Sequence, residues 1–293
     1  MKKFHGTGVA VVTPFQTDGS VDFPALENIL ENLINNRIDY LISLGTTGES
    51  AALSSAEKKE IWAFTAKTVA GRIPLVAGIG GNYTQAVIEN IKNFDKQGYD
   101  AILSVSPYYN KPTQEGIYQH YKAVASASDL PVILYNVPSR TGSNISAETT
   151  IRLANDCNKI IAIKEASGNF DQFNQIMRDK PRDFMLISGD DPVTLPMIAL
   201  GAVGVISVIG NAVPQLFSDM VRFCLDEKWE AARTIHFQLI EFTRLMFLEG
   251  NPGGVKEAMK LTGLCENTLR LPLVNVSEKV SGLIAAELKK LNS

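Results

Sequence analysis

The sequence predicts a (β/α)8 TIM barrel followed by a small α-helical domain, and three observations point to this fold class. First, eight short runs of nearly continuous apolar residues recur along the chain, as in parallel strands that are buried on both faces. Second, each run is followed by a Gly, Pro, Ser or Thr cluster and then by a segment with helical spacing. Third, the length of 293 residues accommodates an α/β barrel of about 250 residues as one unit.

The predicted strands and helices alternate throughout the barrel. The strands lie at residues 8–13, 40–44, 74–77, 101–105, 132–135, 160–163, 184–187 and 203–208. The helices lie at residues 23–36, 54–69, 83–97, 113–126, 147–155, 170–179, 193–200 and 214–225. In the second helix, Ser54 and Glu57 form the S-x-x-E pattern of a capping box. The alternation favours a closed barrel, with a doubly wound parallel sheet as the alternative.

The strand signal stops after about residue 226, which predicts a boundary between two parts of the chain. Residues 1–226 form the predicted catalytic barrel, and residues 227–293 form the predicted helical domain. Its three helices are expected at 228–248, 253–262 and 277–290. Because no Pro/Ser-rich linker separates the two parts, we expect the helical domain to pack on the barrel.

Composition excludes several function classes. The 28 Lys and Arg residues against 31 Asp and Glu leave a net charge of −3, so no basic face is expected for nucleic acid or an anionic membrane. The three cysteines form no C-x-x-C pair, the histidines are scattered, and no glycine motif completes a dinucleotide or P-loop fingerprint. No apolar stretch approaches the ~18 residues that span a bilayer. We therefore expect a cytoplasmic protein with no disulfide, no metal and no cofactor.

Lys164 carries the sharpest chemical signal, because it directly follows the sixth predicted strand. Barrel enzymes place their active sites at this end of the strands. Burial favours the neutral amine of a lysine, and a neutral amine attacks a carbonyl to form a Schiff base. The alternative is a structural lysine that pairs with Glu165 or Asp191.

Hydroxyl groups and one arginine also follow the predicted strands. Tyr135, Tyr109 and Thr46 each carry a hydroxyl that can pass a proton, although each also fits as a core aromatic or a turn residue. The turn that contains Thr46 and Thr47 offers hydroxyls and N–H groups to an anion, or is simply a tight turn. Arg140 has no acidic residue near it in sequence, so it fits either a substrate carboxylate or a surface salt bridge.

Six motifs in this order carry a family resemblance. They are GTTGE at 45–49, PYYN at 107–110, YNVPSRTG at 135–142, IKEASG at 163–168, SGDD at 188–191 and GVISV at 204–208. Each begins in or just after a predicted strand. From Gly6 to about Pro272, the chain resembles the dihydrodipicolinate synthase group of the pyruvate-dependent class I aldolase-like lyases.

The resemblance implies a (β/α)8 barrel with a C-terminal helical domain and a Schiff base between Lys164 and pyruvate. The resulting enamine is expected to add to the aldehyde of L-aspartate 4-semialdehyde, and the product cyclises to 4-hydroxy-tetrahydrodipicolinate on the diaminopimelate route to L-lysine. The same resemblance makes Tyr135 the proton donor and acceptor. Thr46 links it to Tyr109, which family members take from the neighbouring subunit of a homotetramer built as a dimer of dimers.

The resemblance also implies four substrate-binding residues. Thr47 is expected to bind the pyruvate carboxylate and Arg140 the carboxylate of the semialdehyde. Ile206 is expected to present its backbone carbonyl near the lysine nitrogen, and Gly189 to line the pocket. From the residues alone, Ile206 and Gly189 look like packing and turn positions.

Related enzymes that share the lysine, the tyrosine and pyruvate provide the alternative function. These are N-acetylneuraminate lyase and the 2-keto-3-deoxy sugar-acid aldolases. Sialate lyases resemble G-S-T-G-E at the turn motif and lack an arginine after Y-N-x-P. Arg140 therefore favours a short acidic aldehyde over a polyhydroxylated sugar.

Two departures from the family pattern carry further expectations. Ser55, Lys58 and Ala86 occupy positions where lysine-inhibited members carry histidines and a glutamate, although Ser50, Ala51, Asn82 and Tyr108 match. We therefore expect weak or absent inhibition by L-lysine, because Lys58 repels the ligand's ammonium. The second departure is Gly250-Asn251-Pro252-Gly253-Gly254, where relatives more often read PNPxP. Its glycines are expected to loosen the first turn of the following helix.

Overall fold

The computed structural model describes residues 3–291, in which eight parallel strands form a closed barrel. The strands are β1 (Gly6–Ala10), β2 (Tyr40–Ser43), β3 (Leu75–Gly78), β4 (Ala101–Val105), β5 (Val132–Asn136), β6 (Ile160–Glu165), β7 (Met185–Ser188) and β8 (Gly204–Ser207). Each strand pairs with its neighbour in sequence, and β1 pairs with β8. This closure confirms the predicted (β/α)8 barrel over the doubly wound sheet.

Helices connect the strands and continue after the last one. They are α1 (Phe23–Asn35), α2 (Ser55–Val69), α3 (Thr84–Lys92), α4 (Gln114–Ala127), α5 (Pro138–Thr141), α6 (Ala147–Asp156), α7 (Phe170–Asp179), α8 (Thr194–Ala199), α9 (Pro214–Leu225), α10 (Trp229–Leu248), α11 (Gly253–Leu261) and α12 (Glu278–Leu291). The predicted capping box at Ser54 and Glu57 is present. No helix within residues 3–291 is long and apolar enough to cross a membrane.

Several elements differ from the sequence prediction by one to five residues; β1, for example, is Gly6–Ala10 instead of 8–13. Helix α3 ends at Lys92 instead of residue 97, because Asp95 accepts a hydrogen bond from the Gln97 N–H in a local turn. The one-turn helix α5 had no periodic signal, since four residues are too few to show one. Strand β6 continues through Lys164 to Glu165, so the lysine lies within the strand rather than after it.

The lower end of the barrel, where the strands begin, is filled by aromatic side chains. Tyr40 is fully buried and donates a hydrogen bond to the Val205 carbonyl at 3.1 Å. Phe4 meets its ring edge-on, with 5.6 Å between the centroids. A Cβ at Gly8 would lie 2.3 Å from the Tyr40 ring, so only glycine leaves room for it. These contacts close the lower end with packed side chains.

Helices α10 to α12 pack on the barrel, as the missing linker predicted. Helix α10 lies against α8 and α9, and α11 lies near the turn that follows β8. At Gly254, a Cβ would lie 2.6 Å from the Met246 backbone oxygen. The glycine therefore lets α11 approach the end of α10 closely, and this contact contradicts the expected loosening at this position. Gly250, by contrast, has φ +99° and nothing near its Cβ position.

One buried histidine gives the fold a pH dependence. His120 is 4% exposed; its Nδ1 lies 2.9 Å from the Thr84 hydroxyl, and its Nε2 has no hydrogen-bond partner in residues 3–291. Burial lowers the pKa of His120 to about 4 from the ordinary 6.5. Between these two values the unfolded chain binds a proton that the folded chain does not, so stability falls as the pH falls.

We predict that His120→Gln removes this loss. Glutamine does not titrate, so the variant does not lose this stability. As the pH falls from 7 to 4, the free energy of unfolding of the variant should therefore rise by about 3 kcal/mol relative to that of the wild type. Urea unfolding at several pH values measures the difference. His236→Gln is the control, since His236 is only partly buried and should give a smaller change. A pH-independent difference for His120→Gln would contradict the prediction.

Candidate active site

The pairing of β5 with β6 places Tyr135 beside Lys164 at the carboxyl end of the barrel. The Nζ atom of Lys164 lies 4.2 Å from the centroid of the Tyr135 ring. Both side chains are buried, and Lys164 is 4% exposed. The ring face attracts a cation and supplies no negative charge of its own.

The carboxylate next to Lys164 in sequence is used elsewhere. Glu165 points away along β6 and accepts hydrogen bonds from the Asn136 amide at 3.0 Å, the Gln172 amide at 2.8 Å and the Ser167 N–H at 2.7 Å. Burial raises the pKa of Glu165. Its hydrogen-bonding capacity is taken up by amides, so it does not pair with the lysine.

Asp191 is the second acid that could have paired with the lysine. Its carboxylate instead accepts the backbone N–H groups of Val208 and Ile209, both at 3.0 Å, and burial raises its pKa to about 6. Asp190 interacts with Lys164 electrostatically. Burial raises the pKa of Asp190, and the positive charge of Lys164 partly offsets this rise. Across residues 3–291, Lys164 forms no salt bridge. The structural ion pair is therefore not formed.

Gly189 directly follows β7 beside the lysine, and Ile206 lies in β8. A Cβ at Gly189 would lie 3.0 Å from both Cγ and Cε of Lys164 and 2.9 Å from the Ala166 Cβ. The glycine thus leaves the space that the lysine stem occupies. Ile206 is buried in the barrel-interior cluster that also contains Tyr135. Geometry gives Gly189 a reason that its residue type alone did not, whereas Ile206 is seen in the packing role that its residue type indicates.

The GTTGE motif forms a 3-10 turn, Thr46–Gly48, directly above β2. The Thr13 hydroxyl donates to the Gly48 carbonyl at 2.7 Å, which holds the turn against the segment after β1. Thr47 is buried, whereas Thr46 faces the neighbouring cavity. Glu49 ends the turn with φ +50°.

A cavity of about 530 Å³ opens beside this turn and the end of β5. Its walls include Thr46, Tyr135 and Arg140. The sequence analysis expected these residues near the carboxyl ends of the strands, and the structure brings them together at one cavity. Arg140 is exposed at the end of α5 and forms no salt bridge in the described chain, so the surface pair is not formed. Lys164, Thr47, Gly189 and Ile206 do not line this cavity. Lys164 lies behind the Tyr135 ring.

The side chain of Tyr109 extends into solvent, apart from the other predicted site residues. Its side chain is 84% exposed and its backbone has φ +70°. The adjacent Tyr108 lines the cavity instead. Within one chain, Tyr109 has no part in the arrangement around Lys164.

Two residues of the helical segment reach the GTTGE turn, and the sequence analysis did not find them. The Lys256 ammonium donates to Glu49 Oε1 at 2.5 Å and to the Thr268 carbonyl at 2.9 Å. Glu49 and Lys256 are both 0% exposed in their side chains. The Asn251 amide nitrogen donates to the Thr47 hydroxyl at 3.1 Å. The one available signal was a charged residue in the otherwise apolar start of α11.

The outer part of the same cavity contains the positions compared with lysine-inhibited relatives. Ser50, Ser55, Lys58 and Tyr108 line it, together with Ala51. Lys58 is partly buried, and burial lowers its pKa. It forms no ion pair among residues 3–291, so its charge faces the cavity without compensation.

These features define a (β/α)8-barrel enzyme whose site is centred on a buried lysine. No group of three or more His, Cys, Asp or Glu side chains in residues 3–291 is arranged to hold a metal ion. The model of the dihydrodipicolinate synthetase family matches residues 3–291, and the chain belongs to that family.

Individual relatives agree over nearly the whole chain. The 4-hydroxy-tetrahydrodipicolinate synthase of Flavobacterium psychrophilum is 53% identical and covers 100% of both chains. The crystal structure of dihydrodipicolinate synthase from Aquifex aeolicus superimposes with a TM-score of 0.96 at 42% identity, covering 99% of this chain and 98% of that one. The chloride-inhibited dihydrodipicolinate synthase of Acinetobacter baumannii, complexed with pyruvate, gives 0.95 at 38% identity, covering 98% and 99%.

We predict that Glu49→Gln destabilises the protein by about 3–5 kcal/mol, because it leaves the Lys256 ammonium buried without a counter-charge. Chemical unfolding at neutral pH measures the loss. Glu241→Gln is the matched control: Glu241 pairs with Arg244 at 2.7 Å, but both side chains are about half exposed, so the loss should be about 1 kcal/mol or less. Equal losses of stability for the two variants would contradict the prediction that breaking the buried Lys256 pair costs more than breaking an exposed pair.

Proposed function

We propose that the chain condenses pyruvate with L-aspartate 4-semialdehyde to 4-hydroxy-tetrahydrodipicolinate, on the diaminopimelate route to L-lysine. The observation that carries this proposal is the buried Lys164, which contacts Tyr135 and forms no salt bridge in the described chain. Such a lysine is available as a nucleophile. Full-length relatives named for this activity, and one relative complexed with pyruvate, support the choice of substrates.

The proposed reaction begins at the lysine nitrogen. The neutral amine of Lys164 attacks the C2 carbonyl of pyruvate, and uptake of one proton with loss of water gives an iminium ion. Loss of a proton from the methyl carbon gives the enamine, which attacks the aldehyde carbon of the semialdehyde; the iminium re-forms and the aldehyde oxygen takes up a proton to become a hydroxyl. The amino group of the added chain then attacks the iminium carbon, which closes the ring and releases the lysine amine.

Tyr135 is the proton donor and acceptor in this scheme, since its ring already lies against the lysine. Thr46 relays the proton between Tyr135 and a Tyr109 that comes from a second copy of the chain. The exposure of Tyr109 within one chain supports this assignment. Leu271 and Val274 are also 80% and 67% exposed near the same cavity, which supports a surface covered by another copy.

The substrates are held at two ends of the site. Thr47 binds the pyruvate carboxylate, and Arg140 at the cavity wall binds the carboxylate of the semialdehyde. Gly189 provides room for the lysine adduct, and the carbonyl of Ile206 lies near the lysine nitrogen. A homotetramer of two dimers in the cytoplasm, with a barrel of residues 1–226 and a helical domain of residues 227–293, completes the proposal.

The first experiment traps the intermediate. We predict that borohydride reduction with pyruvate adds one reduced pyruvyl group to Lys164, detected by intact mass and peptide mapping. Lys164→Arg should give no adduct, because a guanidinium does not form the imine. Lys159→Arg is the control and should trap as the wild type does. If borohydride trapping gives no pyruvyl adduct on Lys164 of the wild type, the proposed function is wrong.

A companion assay separates the two candidate activities. Product formation from pyruvate and L-aspartate 4-semialdehyde should proceed, and N-acetylneuraminate cleavage should not. Cleavage of the sugar acid at a comparable kcat/KM would favour the sialate lyase instead.

We further predict that L-lysine inhibits this chain weakly or not at all, since the cation Lys58 faces the cavity where a second ammonium would have to bind. A coupled assay with increasing L-lysine measures the effect. Lys58→Glu should increase sensitivity, whereas Lys67→Glu, on the same helix but outside the cavity, is the control for added negative charge. Clear inhibition of the wild type at sub-millimolar lysine would show the prediction to be wrong.

A further inference from the structure

The side chain of Asn251 joins the helical segment to the turn that the proposal assigns to pyruvate. Its amide nitrogen lies 3.1 Å from the Thr47 hydroxyl oxygen, although 204 residues separate the two in sequence. Asn251 is 7% and Thr47 is 2% exposed. We propose that Asn251 is a positioning residue, which orients the Thr47 hydroxyl so that its hydrogen points to the pyruvate carboxylate.

The direction of this hydrogen bond decides what the hydroxyl can do next. An amide nitrogen only donates, so the Thr47 oxygen is the acceptor. A threonine hydroxyl has one hydrogen of its own, and within residues 3–291 that hydrogen has no acceptor. It therefore remains available for an oxygen atom of a ligand, which is the requirement for binding a carboxylate.

The position of the Asn251 amide is fixed from the helix side. Lys256, one turn further on, forms the buried pair with Glu49 at the other end of the same turn. The Lys256 N–H also bonds to the Pro252 carbonyl at 2.9 Å, which starts α11 directly after Asn251. The start of one helix thus holds both ends of the GTTGE turn, one through a hydroxyl and one through a carboxylate.

The other half of the amide argues against a role in packing alone. The Asn251 Oδ1 atom is buried and has no hydrogen-bond partner in the described chain. A buried amide oxygen without a donor is unfavourable, so a side chain that only filled space would be more stable without it. The Asn251 amide therefore lowers the stability of the fold. Such a cost is expected where the amide nitrogen has a role in the site, here its hydrogen bond to Thr47.

The inference rests on the proposed pyruvate chemistry, and a double-mutant cycle tests it. We expect Asn251→Ala to raise the pyruvate KM about tenfold and to change kcat less than about threefold. This is the effect expected when one hydrogen bond is lost from the series that links Asn251, Thr47 and the charged carboxylate of pyruvate. Thr47→Val should raise KM at least as much. The double variant should be no worse than Thr47→Val alone, because the amide acts through the hydroxyl.

Two further variants sharpen the test. Asn251→Asp keeps the shape of the side chain but only accepts, so it takes the Thr47 hydrogen and should raise KM more than Asn251→Ala. This variant also answers the question if the alanine variant does not fold. Asn93→Ala, an exposed asparagine on the outer wall of the same cavity, is the matched control and should leave KM unchanged.

The possible failures are distinguishable. If the wild type forms no pyruvyl adduct on Lys164, the proposed function and this inference both fail. If the wild type forms the adduct and folded Asn251→Ala or Asn251→Asp requires no more pyruvate than the wild type for half-maximal trapping, the inference alone is overturned. Additive effects of the Asn251 and Thr47 substitutions on KM also overturn it.

Discussion

The structure around the active centre depends on one constraint: a lysine is buried with no carboxylate paired to it. Neighbouring acids are bound to other donors, Glu165 by side-chain amides and Asp191 by backbone N–H groups. The Tyr135 ring and the missing side chain at Gly189 complete the surroundings of Lys164. None of these surroundings supplies Lys164 with a salt-bridge partner among residues 3–291.

The second buried lysine of the molecule shows the opposite solution. Lys256 is buried more deeply than Lys164, but it meets Glu49 directly and is also bonded to a carbonyl. The paired Lys256 holds a turn, whereas the unpaired Lys164 is the residue to which the proposed reaction assigns the chemistry. The helical segment is therefore part of the active site's support and not an independent addition to the barrel.

The sequence was sufficient to predict the barrel and the strand ends at which most of the candidate site residues lie. Eight apolar runs mark the strands because parallel strands covered on both faces contain few polar residues. Lys164, Tyr135, Thr46 and Arg140 could be found because strand ends share one rim. The contacts of Asn251 and Lys256 could not, since a pairing across more than 200 residues leaves no periodic trace. The close approach at Gly254 likewise depends on where two helices meet.

The packed lower end of the barrel determines from which side small molecules can reach Lys164. Phe4 and Tyr40 fill the space beneath the strands, so small molecules reach Lys164 from the upper rim. In the proposed reaction, both substrates therefore enter from that rim. The proposed covalent bond to pyruvate suits this geometry, because a tethered molecule keeps its place while the second substrate enters.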